Sequence, residues 1–141
     1  MIMKLQDVRD LFELINIKEN LEFSDVYLGY LENKIDNSLG VYEPNQNENE
    51  IFLGGYENSR YKTINVTLLV HGTKDFIDTE DKAFALFDVI EKLQGGVETE
   101  DFSIYSIRTM ENRPINVGID KNYIHEYVIN LQLIYFIKGG N

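Results

Sequence analysis

The stretch RYKTINVTLLVHGTKDFIDTEDKAFALFDVIEKL, residues 60–93, decides the fold of this chain. Its first part alternates apolar and polar residues up to Val70, the period-two pattern of a β-strand with one buried face. The turn His71-Gly72-Thr73 follows, and apolar residues then recur at helical spacing, with Asp78 or Thr79 as the predicted N-cap and Gly95 as the predicted end. The stretch therefore predicts a strand, a tight turn and an amphipathic helix.

The flanking sequence extends this pattern in both directions. Helical spacing of apolar residues predicts a first helix over residues 4–18. Alternating patterns predict further strands over residues 23–31, 39–43, 102–110 and 124–137. Asp36-Asn37-Ser38 is predicted to turn the first two of these strands into a hairpin, and Asp120-Lys121-Asn122 to form the turn before the last strand. Pro114 makes residues 113–119 an edge strand or a connection, because proline cannot donate a ladder hydrogen bond.

These elements together predict an α+β fold, in which a mostly antiparallel β-sheet packs against two α-helices. At 141 residues the chain suits one domain over residues 1–141, since a domain of that size buries about 68% of its unfolded surface. The chain has no cysteine, which excludes disulfides and thiolate metal sites. Asp7, Asp10 and Glu13 near the N-terminus argue against a signal peptide, and no apolar run approaches the ~20 residues of a membrane span. Intracellular assembly without a membrane is expected.

The charge balance indicates which classes of binding partner are expected. The chain has 24 acidic and 13 basic residues and a formal charge of −11. A surface this negative repels phosphates, whereas proteins that bind nucleic acid tightly carry a basic patch. Tight DNA binding is therefore not expected. The acidity either simply keeps the protein soluble or forms a wall that DNA slides past without binding.

An acidic loop is predicted over about residues 44–50, where Pro44 is followed by six polar or acidic residues. Such a composition builds no core, so the loop is expected to be mobile. It is either a solvated hairpin tip or a segment that orders on a partner. A short strand is predicted next, at Ile51-Phe52-Leu53. The loop lacks the spacing of a calcium-binding loop.

Catalytic chemistry is sparse in this sequence. His71 and His125 are its two histidines, and His125-Glu126 lacks the downstream histidine of a zinc protease. There is no nucleophile elbow, no phosphate-binding loop and no Gly-x-Gly-x-x-Gly motif. The sequence therefore predicts no catalytic, cofactor-binding or metal-ligating residue, and no enzyme.

A family resemblance is carried by three segments in a fixed order. They are the strand ending Val70-His71-Gly72-Thr73, the helix with Ala83, Phe87 and Leu93, and Val117-Gly118-Ile119-Asp120 leading into His125-Glu126-Tyr127-Val128-Ile129-Asn130-Leu131. In this order the chain resembles the bacteriophage minor capsid or tail-terminator family over most of its length. The resemblance implies an α+β subunit of a hexameric ring that caps the tail tube and joins it to the head connector. It also implies a virion protein, assembled in the host cytoplasm, without catalytic residues.

The resemblance implies three kinds of partner: further copies of the chain, the tail tube protein and the head connector proteins. DNA would pass through the ring without tight binding. The candidate interface residues are Asn45, Glu48, Glu50, Thr67, His71, Asp120 and Asn130. Two alternatives stay open from the residues alone: a small acidic binding or inhibitor protein acting on a basic partner, and a hydrolase with shifted carboxylates in a pocket.

Overall fold

Two helices and seven strands make up the part of the chain that the computed structural model describes, residues 1–29, 34–44, 61–93 and 96–138. The helices are α1 (Leu5–Lys18) and α2 (Phe76–Leu93). The strands are β1 (Asp25–Leu28), β2 (Ser38–Tyr42), β3 (Lys62–His71), β4 (Val97–Glu98), β5 (Phe102–Thr109), β6 (Ile115–Ile119) and β7 (His125–Ile137). The predicted α+β class is confirmed.

The strands form one sheet in the order β1-β2-β3-β7-β5-β4, and β6 pairs with β7 as well. Every pairing is antiparallel except that of β1 with β2. The central pair, β3 and β7, runs in unbroken register from Lys62 opposite Tyr135 to His71 opposite Glu126. The prediction of a mostly antiparallel sheet is therefore confirmed.

The predicted hairpin between the first two strands is wrong, because β1 and β2 are parallel. The turn signal itself is real: Asn37 has a left-handed φ of 59°. Its side-chain amide donates to the carbonyl of Glu22 at 2.7 Å, and its own carbonyl accepts from Ser24 at 2.8 Å. The turn thus brings the start of β2 beside the start of β1, so the two strands run in the same direction.

The hydrophobic core lies on one face of the sheet, under both helices. Helix α1 packs over β1 and β2, and α2 packs over β7, β5 and β3. The helices contribute Val8, Leu11, Phe12, Ile15, Ala83, Leu86, Phe87 and Ile90, and the two central strands contribute Val66, Leu68, Val70, Ile129, Leu131, Leu133 and Tyr135. Full burial of one such aliphatic side chain contributes about 1.5–3 kcal/mol, so this face holds the fold together.

Helix α2 begins earlier than the sequence predicts. The Asp75 carboxylate accepts from the backbone N–H groups of Ile77 (3.0 Å) and Asp78 (3.2 Å), which makes Asp75 the N-cap. The predicted caps Asp78 and Thr79 lie inside the first turn, and Thr79 is fully buried. Phe76 and Ile77 are exposed there and interrupt the apolar period, which explains the error. Gly95, the predicted end of the helix, lies outside the described residues.

Strands β5 and β6 follow one another along the same side of β7. Strand β5 pairs with the later part of β7, from Leu131 onward, and β6 with its start, from His125 to Val128. Between them the Met110 N–H donates to the Asn130 carbonyl at 2.9 Å before the chain breaks away. In the described part of the chain β6 pairs with β7 alone, as expected for an edge strand beside Pro114.

Two predicted segments lie outside the described residues. They are the acidic loop beyond Pro44, with Asn45, Glu48 and Glu50, and the short strand Ile51-Phe52-Leu53. The described elements share one hydrophobic cluster, while the organisation of residues 1–141 as a single domain stays a prediction. Neither described helix has the length and apolar character required to cross a bilayer.

Candidate interaction surface

Polar side chains pair in rows on the face of the central sheet that lies away from the helices. The Thr67 hydroxyl donates to the side-chain oxygen of Asn130 at 2.7 Å, and the Gln132 amide donates to Asn65 at 3.1 Å. Each pair stands directly opposite in the β3–β7 register. The structure thus joins two of the predicted interface residues, Thr67 and Asn130. The Asn130 amide also donates to the Glu111 carboxylate at 3.3 Å, so the row itself is uncharged but ends beside a negative charge.

A charged cluster lies on the same face of the sheet, at the end of β3. His71 is only 2% exposed, and its Nδ1 lies 2.7 Å from Oε2 of Glu126. The Lys34 ammonium donates to the same carboxylate oxygen at 3.2 Å. Asp120 completes the cluster, with an oxygen 3.9 Å from His71 Nδ1. Two more predicted interface residues, His71 and Asp120, are thereby brought together, although His71 is buried within the subunit.

The Asp120 carboxylate holds the turn between β6 and β7. Its Oδ1 accepts from the backbone N–H groups of Asn122 (2.8 Å) and Ile124 (3.0 Å). Burial opposes ionisation of this group, but the two donors, together with His71 and Lys34, keep the pKa of Asp120 below its ordinary value. The turn therefore depends on an ionised carboxylate. It presents Tyr123 to solvent with a left-handed φ of 66°.

The charged cluster has some of the chemistry of a metal site. One ligand atom from each of His71, Asp120 and Glu126 falls within 4.8 Å of the others. The Glu126 oxygen, however, already accepts from His71 and from the Lys34 ammonium, which supplies the positive charge that a cation would bring. The arrangement is best explained as a set of ion pairs that joins β3, β7 and the turn. The predicted absence of a metal ligand stays a prediction.

Strand β6 leaves an apolar edge in solvent. All five of its residues are exposed, a pattern shared by none of the other described strands. The Phe76 ring meets the His125 ring edge to face, with centroids 5.4 Å apart, and His125 is paired with Ile119. We define the β6 edge patch as the exposed apolar residues of this strand: Ile115, Val117 and Ile119. The register shift between Asn116 and Gly118 places Ile115 on the face of Val128 and Ile119 on the opposite face, that of His125. An uncharged, exposed edge of this kind is a candidate surface for contact with another chain.

Sequence reasoning missed both Glu126 and the β6 edge patch. The position of Glu126 on the polar face of β7 was readable, but its contact with His71 depends on a register between residues far apart in the chain. The alternation of Ile115, Val117 and Ile119 is typical of a strand with one buried side. Only the three-dimensional structure reveals that nothing described covers these residues.

A family model described as bacteriophage tail terminator protein matches residues 9–137. The match runs from the second turn of α1 to the last residue of β7, and so includes the polar rows, the charged cluster and the β6 edge patch. The chain belongs to the bacteriophage tail terminator family. Among curated proteins no match was found.

Membership of the tail terminator family gives the chain a structural role in a phage tail. The family is a structural one, it is associated with the virion, and its role implies contacts with tail and head components. The family predicted by resemblance is therefore confirmed. The match does not distinguish individual contact residues, so the candidates Thr67, His71, Asp120 and Asn130 stay predictions.

Proposed function

We propose that the chain is a tail terminator subunit that forms a closed ring of six copies, caps the tail tube and joins it to the head connector. The single observation that carries the ring is the β6 edge patch, three exposed apolar residues on a strand that pairs on one side only within the described part of the chain. Burying such a surface against another chain is favourable. A head-to-tail contact between copies closes into a ring when its rotation fits.

A cap has to differ between its two sides, and the two ends of the β3–β7 pair do differ. One end carries the buried cluster of His71, Glu126 and Lys34. The other end carries the exposed carboxylates of Glu98 and Asp101, with Glu98 bound by Lys138 at 2.9 Å. Because the two ends differ, one end can bind the tube while the other does not offer the same surface to a second layer of subunits.

The alternative of a small acidic inhibitor rests on charge alone. A formal charge of −11 fits both proposals, and no feature of the described residues favours a basic partner over a tail. The family match favours the ring. We therefore propose assembly in the host cytoplasm and incorporation at the tail or neck of the virion.

Inactivation of the gene in the phage tests this proposal. We expect lysates to accumulate unjoined heads together with tails of irregular length, because nothing stops growth of the tube or connects it. Supplying the wild-type chain in trans restores virions. Normal virions at wild-type titre without the chain would contradict the proposed role.

A further inference from the structure

Strand β6 contributes no side chain to the hydrophobic core of the described residues. All five of its residues are exposed. The buried cluster that joins the helices to the sheet takes its last member before β6 from β5, at Ile107, and its next member from β7, at Tyr127. The core is therefore complete without β6, and the attachment of this strand depends on its backbone pairing and on its two ends.

The backbone pairing of β6 is one-sided and irregular. Among the described strands β6 pairs with β7 alone, over the first residues of β7 from His125 to Val128. A register shift between Asn116 and Gly118 interrupts this ladder, and such a bulge leaves a residue unpaired. On its other side β7 pairs with β3 over ten residues without a shift. The β3 pairing therefore holds the start of β7 independently of β6.

The two ends of β6 are attached by different means. Pro114 is buried immediately before the strand. After the strand, Oδ1 of Asp120 accepts from the backbone N–H groups of Asn122 and Ile124, and the Asp120 N–H donates to the Ile124 carbonyl at 2.9 Å. The second carboxylate oxygen of Asp120, Oδ2, lies 3.9 Å from Nδ1 of His71 on β3. The Asp120 carboxylate thus joins the end of β6 to the body of the sheet.

The charged groups that face Asp120 come from three other segments. They are His71 on β3, Glu126 on β7 and Lys34 before β2. Glu126 carries the same charge as Asp120, but the Lys34 ammonium offsets it by donating to the Glu126 carboxylate at 3.2 Å. Removal of the Asp120 carboxylate would leave two backbone N–H groups of the turn without their acceptor, which loosens the turn.

We propose that β6 and the turn after it, residues 115–123, form a strap that opens from the sheet as a unit while the rest of the fold stays intact, with the Asp120 carboxylate as its latch. Opening breaks the backbone bonds between β6 and β7 but exposes no side chain of the hydrophobic core. It leaves the β7 edge at His125 to Val128 unpaired on the side that β6 occupied. This inference does not depend on the proposed ring.

Native-state hydrogen exchange of the full chain tests the strap. The slowest amides of β6 and the Asp120 N–H should exchange about 100-fold faster than the slowest amides of the β3–β7 pair. Their rates should barely change in low urea, because opening of the strap exposes little surface, whereas the rates of the β3–β7 pair should rise steeply. Equal rates with equal urea dependence would show that β6 opens only when the whole protein unfolds, which would overturn the inference.

The variant Asp120→Ala tests the latch. It should raise the exchange rate of the β6 amides by about tenfold, because two backbone N–H groups lose a charged acceptor. An unchanged rate in β6 would show that Asp120 is not the latch.

The matched control is Asp7→Ala at the start of α1. The Asp7 carboxylate also accepts from a backbone N–H, that of Lys4 at 2.8 Å. Its loss destabilises the folded state without touching the strap, so exchange in the β3–β7 pair should become faster while exchange in β6 stays the same. If Asp7→Ala accelerates β6 together with the β3–β7 pair, β6 exchanges through global unfolding and the strap is rejected.

Discussion

At the scale of single residues, Gly72 and Thr79 fix the junction between β3 and α2. The Thr79 hydroxyl accepts from the Thr73 N–H and donates to the Asp75 carbonyl, both at 3.0 Å. Gly72 donates to the His125 carbonyl at 3.0 Å and accepts from the Asn37 N–H at 2.8 Å. A Cβ added to Gly72 would lie 2.7 Å from the Cβ of Thr79, closer than packed carbons approach. The close approach of the turn to the helix therefore requires glycine.

Gly72→Ala is expected to destabilise the fold by about 1–3 kcal/mol, because the buried Thr79 cannot move away without losing its hydrogen bonds. Thermal unfolding followed by circular dichroism measures the effect. Gly29→Ala is the matched control: Gly29 has open space around it but a left-handed φ of 60°, so it tests backbone strain without overpacking. A smaller loss for Gly72→Ala than for Gly29→Ala would show that the junction can relax.

Asp120 gives a pH-dependent prediction at the same scale. Because the pKa of Asp120 is lower in the folded than in the unfolded chain, its stabilising effect is present above the unfolded pKa of about 3.9 and disappears as pH falls through the folded value. Wild type should therefore be more stable than Asp120→Asn at neutral pH, and the difference should narrow below about pH 4. Melting temperatures across pH 2–7 measure this. A difference that stays constant to the lowest pH would contradict the role of the charge.

At the scale of elements, the sequence predicted best where one periodic pattern continues over a long segment. Strands β3 and β7 and helix α2 were found because their buried residues, such as Val66, Leu131 and Phe87, recur with the period of the element. The parallel pairing of β1 with β2 was not predictable, since the polar turn around Asn37 fits a hairpin equally well. Local patterns determine elements, whereas tertiary contacts determine how short elements pair.

The candidate surface shows the same limit. Thr67 and Asn130 were predictable as polar residues on the outer faces of long strands, and they do meet. The link from His71 to Glu126 and Lys34 joins residues distant in sequence, and no local signal reveals it. Whether β6 is exposed depends on which other segments pack against it in the folded chain, so its exposure cannot be read from its own residues.

The N-cap of α2 gives a prediction at the element scale. Asp75→Ala should destabilise the protein by about 1 kcal/mol, because two backbone N–H groups at the helix start lose their acceptor. Asp78→Ala, at the position that the sequence favoured, should cost clearly less. Chemical denaturation of both variants measures the difference. If Asp78→Ala proves the more damaging, the helix begins where the sequence predicted.

At the scale of the whole molecule, charge predicts how the proposed ring would behave toward DNA. Six copies at −11 each would carry 6 × −11, or −66 formal charges, and would repel the DNA backbone. No shift of duplex DNA is expected in a gel with micromolar protein at low salt. Binding that appears at low salt and disappears with added salt would reject the interpretation of the acidic chain as a wall past which DNA slides.

The proposed ring is tested most directly by electron cryo-microscopy of purified tails that carry the chain. We predict a closed ring of six copies at the end of the tube that faces the head, with a symmetry that matches the tube. Within the ring, each β6 edge should face the next subunit rather than solvent. Tails that contain the chain but show no ring, or a ring whose symmetry is unrelated to that of the tube, would contradict the proposed function.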